Sequence, residues 1–198
     1  MSEPFSAVAQ VTIGRGALIS YLDATPKSSR QWDDWSLIGD EWYDFSWETD
    51  LTRTLEAVDR RLKRSYREII SDFVETDEIM PGCERCSYDE ASELFTFGTL
   101  MFSENVEDIT LFFAVARGMA DFMQGEEAGF AVMRDYFWGE PPWTVALDLA
   151  AGRSRFLDPQ ADAASFERHV GAAVAVFDDI KEGGGDLARV INQIDSLR

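Results

Sequence analysis

The sequence predicts an α+β fold: a mainly antiparallel sheet with one long amphipathic helix and two or three further helices packed on it. Three observations point there. Aromatic and β-branched runs come in pairs around turn residues, as in Phe130–Trp138 and Trp143–Leu149 on either side of Gly139-Glu140-Pro141-Pro142. Segments with apolar residues three or four apart interrupt those runs. The chain of 198 residues is 45% hydrophobic and 13% aromatic, enough for one well-packed core and too short for two without an obvious linker. A single globular domain over 1–198 is therefore expected.

Taken in order, Ala7–Ile13 and Ala17–Leu22 are partly alternating runs around Gly14-Arg15-Gly16, which suits a hairpin with glycine supplying positive φ at the turn. Pro26, Ser28, Ser29 and Gly39 mark residues 23–40 as a loop. Trp42–Trp47 alternates as a strand does. Leu51, Leu55, Val58, Leu62, Tyr66, Ile69 and Phe73 then step by three or four, with Thr49 or Asp50 available as N-cap. The long amphipathic helix is placed there, over 50–76, ending before Pro81-Gly82.

Glu93–Ser103, rich in phenylalanine and threonine, reads as a strand. Ser103 or Asn105 can cap a helix reaching about Met123, apolar nearly all round and so buried. After the two strands that flank Gly139, a helix over 161–181 carries Phe166, Val170, Val174 and Phe177 on one face. Gly183-Gly184-Gly185 is expected to be a flexible connector to a short helix, 186–197.

Thirty-seven acids against eighteen bases give a formal charge of −19 and a pI near 4.3. Nucleic acid and anionic membranes reward neutralisation of their own negative charge, so neither is an expected direct partner. A basic protein is the partner such a field attracts, at association rates up to roughly 10⁸–10⁹ M⁻¹s⁻¹ at low salt. The longest clean apolar run, Leu111–Ala116, is far short of the ~20 residues of a membrane span. Glu3 stands where a signal peptide needs positive charge, and no apolar core follows before Arg15. With only two cysteines as well, a cytoplasmic location is expected.

Residues 32–50 are the most distinctive stretch. They hold four of the six tryptophans, with Tyr43, Phe45, seven carboxylates and no lysine or arginine. Trp32, Asp33, Asp34, Trp35, Asp40, Glu41, Trp42 and Asp44 are the candidate partner-binding residues. The carboxylates would stand in for phosphates against the partner's basic side chains, and Trp32, Trp35 and Trp42 would be desolvated anchors.

Arg53, Arg60, Arg64 and Arg67, at i, i+7, i+11 and i+14, form one stripe on the expected long helix. Such a stripe either contacts an anion or neutralises the chain's own acids. Cys83 and Cys86 have the spacing of half a zinc site or of a redox dithiol, but His169 is the only other soft ligand and a turn among acids does not lower a thiol pKa. They are expected to be incidental loop cysteines, and neither metal nor cofactor is expected. His169 has no recognisable nucleophile motif, and no G-x-S-x-G sequence occurs, so no catalytic residue is assigned. Neither Gly14-Arg15-Gly16 nor the 183–185 run matches a dinucleotide or Walker sequence. The adjacent pairs Asp33-Asp34 and Asp178-Asp179 do not by spacing converge on one substrate.

The expectation is an acidic cytosolic binding protein that inhibits a basic partner, a toxin or nuclease. By composition alone this is the general character of immunity proteins that neutralise bacterial toxins. Two alternatives stand beside it: an enzyme with an unrecognised site for an anionic small molecule, and a nucleic-acid mimic that blocks a DNA-binding protein. The enzyme requires a cleft that contains the arginine stripe together with His169 or a perturbed carboxylate.

Overall fold

Small and β-branched side chains alternate through SAVAQVT, and nearly all are buried, which only a strand covered on both faces allows. This strand, β1 (Ser6–Thr12), lies at the middle of a seven-stranded sheet of order β6-β5-β4-β1-β3-β2-β7. The computed structural model describes residues 4–38, 47–75, 82–137, 143–183 and 191–198. Among these, β2 (Glu84–Asp89), β3 (Leu94–Thr99), β4 (Ala128–Arg134), β5 (Thr144–Ala150) and β6 (Arg153–Phe156) join β1 in antiparallel pairing. The two-residue β7 (Ile191–Asn192) adds to β2 in parallel. The fold is α+β.

Helices cover the sheet unequally. On one face, α1 (Arg15–Asp23), α2 (Trp47–Arg61), α3 (Tyr66–Phe73) and α4 (Val106–Gly118) bury Leu18, Val58, Ile69 and Phe112 against Ala9, Phe97 and Ala131. On the other, α5 (Ala163–Gly183) alone buries Ala173, Phe177 and Ile180 against Val8, Val132 and Ala146. No helix among the described residues is long and apolar enough to cross a membrane.

Most expected elements recur, with five differences. Residues 17–22 belong to a helix and not to a hairpin. Leu18, Tyr21 and Leu22 are buried at helical spacing, and Gly14 is the N-cap in extended geometry with φ −60°, so no positive φ is used. The helix expected over 50–76 is two helices, because Ser65 starts a new one. Its hydroxyl accepts from the Glu68 N–H, and the Glu68 carboxylate accepts from the Ser65 N–H at 2.8 Å, a reciprocal capping box. The longest helix is α5 instead.

Two further strands were not anticipated. β2 covers the segment read as a turn, with Glu84, Cys86 and Tyr88 buried on alternate positions. β6 follows β5 through Gly152, whose φ of 69° is the left-handed conformation that favours glycine. Of the last helix expected over 186–197, residues 186–190 lie outside the described residues, and the remainder forms β7 and a 3₁₀ turn at Ile194–Ser196 instead. The Gln193 N–H donates to the Cys86 carbonyl and Gln193 Oε1 accepts from the Tyr88 N–H, both at 2.8 Å, which ties this segment to β2. The expected connector at 184–185 and the strand positions 42–46 lie outside the described residues; Trp47 opens α2.

The buried helix is as expected. Asn105 caps α4 by accepting from the Glu107 N–H at 2.8 Å, and every residue of α4 from Ile109 to Gly118 is buried.

Candidate functional site: the Trp32–Ile38 turn

Two short 3₁₀ turns, Ser29–Gln31 and Trp35–Ile38, carry the start of the acid- and tryptophan-rich stretch. Asp59 on α2 secures the first. It accepts from the Ser28 hydroxyl, the Ser29 hydroxyl and the Ser29 N–H, each at 2.7 Å. Burial pulls the Asp59 pKa up, but these hydrogen bonds and Arg30 together outweigh it and hold the carboxyl below its ordinary value.

Arg117 on α4 secures the second turn. Its guanidinium carbon lies 4.7, 5.2 and 5.0 Å from the ring centroids of Trp32, Trp35 and Phe156, so three aromatic rings surround one cation. Nη1 is 2.6 Å from Asp34 Oδ1, an ion-pair contact whose angle is not that of a hydrogen bond. Nε and Nη2 donate to the Ser154 hydroxyl and carbonyl at 3.2 Å. The other Asp34 oxygen accepts from the Phe156 N–H at 3.0 Å, so the carboxylate joins the turn to both α4 and β6. Burial lowers the Arg117 pKa from the ordinary guanidinium value, and Asp34 acts in the opposite direction.

This arrangement divides the expected interface residues. Trp35 is only 1% exposed and donates its indole N–H to the Ser29 carbonyl at 2.9 Å. It belongs to the core and not to the surface, because a cation inside the fold occupies the aromatic cluster that was assigned to a partner. Asp34 is likewise engaged internally, and Trp32 is half-buried against Arg117. Asp33, Ser36 and Leu37 face outward, and Leu37, at 43% exposed, is the one large apolar side chain exposed among the described residues. Asp40, Glu41, Trp42 and Asp44 lie outside the described residues.

The other candidates are also dispersed. The break at Ser65 takes the arginine stripe apart. Arg53 and Arg60 are exposed on α2, Arg64 in the link pairs with Asp72, and Arg67 on α3 donates to Asp23 and to the Ile194 carbonyl. The arginine lining the nearby cleft of about 280 Å³ is Arg61, paired with Asp108, and none of the stripe lines it. The enzyme alternative called for a cleft holding the stripe together with His169 or a perturbed carboxylate; among the described residues His169 is on α5, across the sheet from α2 and α3.

Cys83 and Cys86 are buried; Cys83 sits in the bend just before β2, and Cys86 lies within the strand, not in a loop. They pack on opposite sides of the sheet, Cys83 with the α5 cluster and Cys86 with the four-helix layer. Burial pushes the Cys86 thiol up to about 12. No three histidine, cysteine or acidic side chains converge as a metal site among the described residues. His169 is on α5, 2.9 Å from Asp148.

The role of Arg117 had no local signal in the sequence, since its partners come from residues 32–35 and 154–156. An arginine closing the apolar run Leu111–Ala116 was the one available hint. The chain matches no protein-family model, no curated protein and no solved structure.

Proposed function

We propose that this protein binds and inhibits a basic protein partner, a toxin or nuclease, through the outer rim of the Trp32–Ile38 turn and the acidic, aromatic residues 40–44 that follow it in sequence. One observation carries the reading: Asp33 and Leu37 project from a turn that is fastened from behind by Arg117 and Asp59. A surface already ordered before binding loses less conformational freedom when a partner docks. An apolar side chain beside carboxylates is the local pattern of a contact centre with a polar rim.

The ion pairs favour the same reading. Arg15, Lys27, Arg30, Arg85, Arg153 and Arg155 all meet acids of the chain itself. Those bases are engaged locally, while the chain as a whole keeps its charge of −19. The outward field is thus suited to a cationic partner.

The test is capture from native lysate on the immobilised protein, with washes of rising salt, followed by kinetics of the eluted partner against variants. A basic protein near stoichiometry, released as salt rises, is the expected yield. Leu37→Glu should then weaken binding roughly tenfold through faster dissociation. Asp33→Asn should slow association and flatten its salt dependence. Unchanged kinetics in both variants would overturn the assignment of this surface.

A further inference from the structure

Seven strands at ~4.8 Å spacing make a sheet far wider than one helix of ~10–12 Å, so among the described residues α5 leaves part of its face uncovered. Beside α5 lies a cleft of about 350 Å³, within the roughly 300–1,000 Å³ of small-molecule sites. Gln10, Leu94 and Phe130 line it from the sheet, and Arg168, His169 and Ala172 from the helix. Apolar surface dominates, with a few polar groups converging on it.

His169 is the organised element. It is 7% exposed, and its ring stacks on Phe130 with centroids 5.5 Å apart and planes 23° from parallel. Nε2 is 2.9 Å from Asp148 Oδ1, while Asp148 Oδ2 accepts from Arg153 Nη2 at 3.1 Å. A carboxylate only accepts, so in the neutral ring Nε2 carries the proton and Nδ1 is left as an acceptor. No described residue bonds Nδ1. Gln10 is fixed too, donating its amide to Thr96 Oγ1 at 3.0 Å. The described lining contains no serine or cysteine, so it offers no hydroxyl or thiol for covalent catalysis.

We propose that this cleft binds a small planar aromatic acid bearing a hydroxyl or N–H donor. The ring lies among Leu94, Phe130 and Ala172, the carboxylate meets Arg168, and the donor bonds His169 Nδ1. The three features answer to three separate parts of the lining, and the site is independent of the Trp32–Ile38 turn.

The chain has one histidine, so its imidazole gives a single set of NMR signals that needs no assignment. Titration would use 3-hydroxybenzoate and its neutral analogue 3-hydroxybenzamide, with calorimetry for stoichiometry. The acid should shift the imidazole signals saturably at one site, and the amide should bind roughly fivefold more weakly, the scale of an exposed ion pair. Arg168 is exposed, so Arg168→Ala should leave the circular dichroism unchanged and bring the acid down to the affinity of the amide. No saturable shift with the acid, equal affinity for acid and amide, or an Arg168→Ala variant that binds the acid as well as wild type would each overturn the proposal.

Discussion

Arg117 and His169 are the two buried basic side chains among the described residues, one on each face of the sheet, and each is held by an aspartate. Their surroundings differ. Arg117 is enclosed by three rings, bonded to Ser154 and paired with Asp34, so its whole donor set looks inward. His169 uses one nitrogen on Asp148 and borders an open cleft with the rest of its ring. The face with four helices has turned its buried charge into a fastening. The face with one helix keeps its buried histidine at the edge of a cleft.

If that contrast is right, removing Arg117 should do the most damage. Arg117→Ala leaves Asp34 buried without its cation and hollows the ring cluster, which should cost about 3–5 kcal/mol in urea unfolding. Arg117→Met with Asp34→Asn should lose less, because no uncompensated charge remains. His169→Ala should cost only about 1–2 kcal/mol, since Asp148 keeps Arg153 and the site already borders a cleft. Equal losses at the two positions would erase the distinction.

Smaller effects sharpen it further. Asp59→Ala should cost about 1 kcal/mol near pH 7 by releasing the first turn. Because the folded state depresses this carboxyl, its contribution is present above the ordinary value of 3.8 and is lost as pH falls through the depressed one. The gap between wild type and variant should therefore close in strong acid. The thiols give the finest comparison. Burial raises Cys86 to about 12, so its contribution is present below the ordinary 9.0 and is lost as pH rises toward 12. In native protein near pH 8, iodoacetamide should leave Cys86 unmodified, and mild urea should expose Cys83, on the single-helix face, first. Faster labelling of Cys86 would reverse the ranking of the two faces.

Periodicity made part of this visible beforehand. Phe166 and Phe177 of α5, the apolar α4 with its Asn105 cap, and the β4–β5 pair around Gly139 were legible because local spacing determines them, whereas Ala173 and Ile180, and not Val170 and Val174, complete the packed face of α5. Residues 17–22 were not, since a short run containing Leu18, Tyr21 and Leu22 fits either period, and only the core contacts decide. The break in the long helix was written as Ser65-Tyr66-Arg67-Glu68, but a continuous apolar stripe obscured the capping box. The tryptophan-rich turn was noticeable in sequence, yet its inward face depends on an arginine far along the chain. Long-range pairing of that kind leaves no periodic trace.

The margins of the sheet have one more consequence. β6 is four residues long, and its Arg153 and Arg155 are paired with Asp148 and Asp162. At the opposite margin, β7 and Gln193 occupy backbone groups of β2 that would otherwise face solvent. Among the described residues, neither side offers a second molecule a long run of unpaired strand on which to grow. A two-residue strand thus guards one margin of the sheet, and a chain that let β7 go would uncover in β2 a template for chain-to-chain assembly.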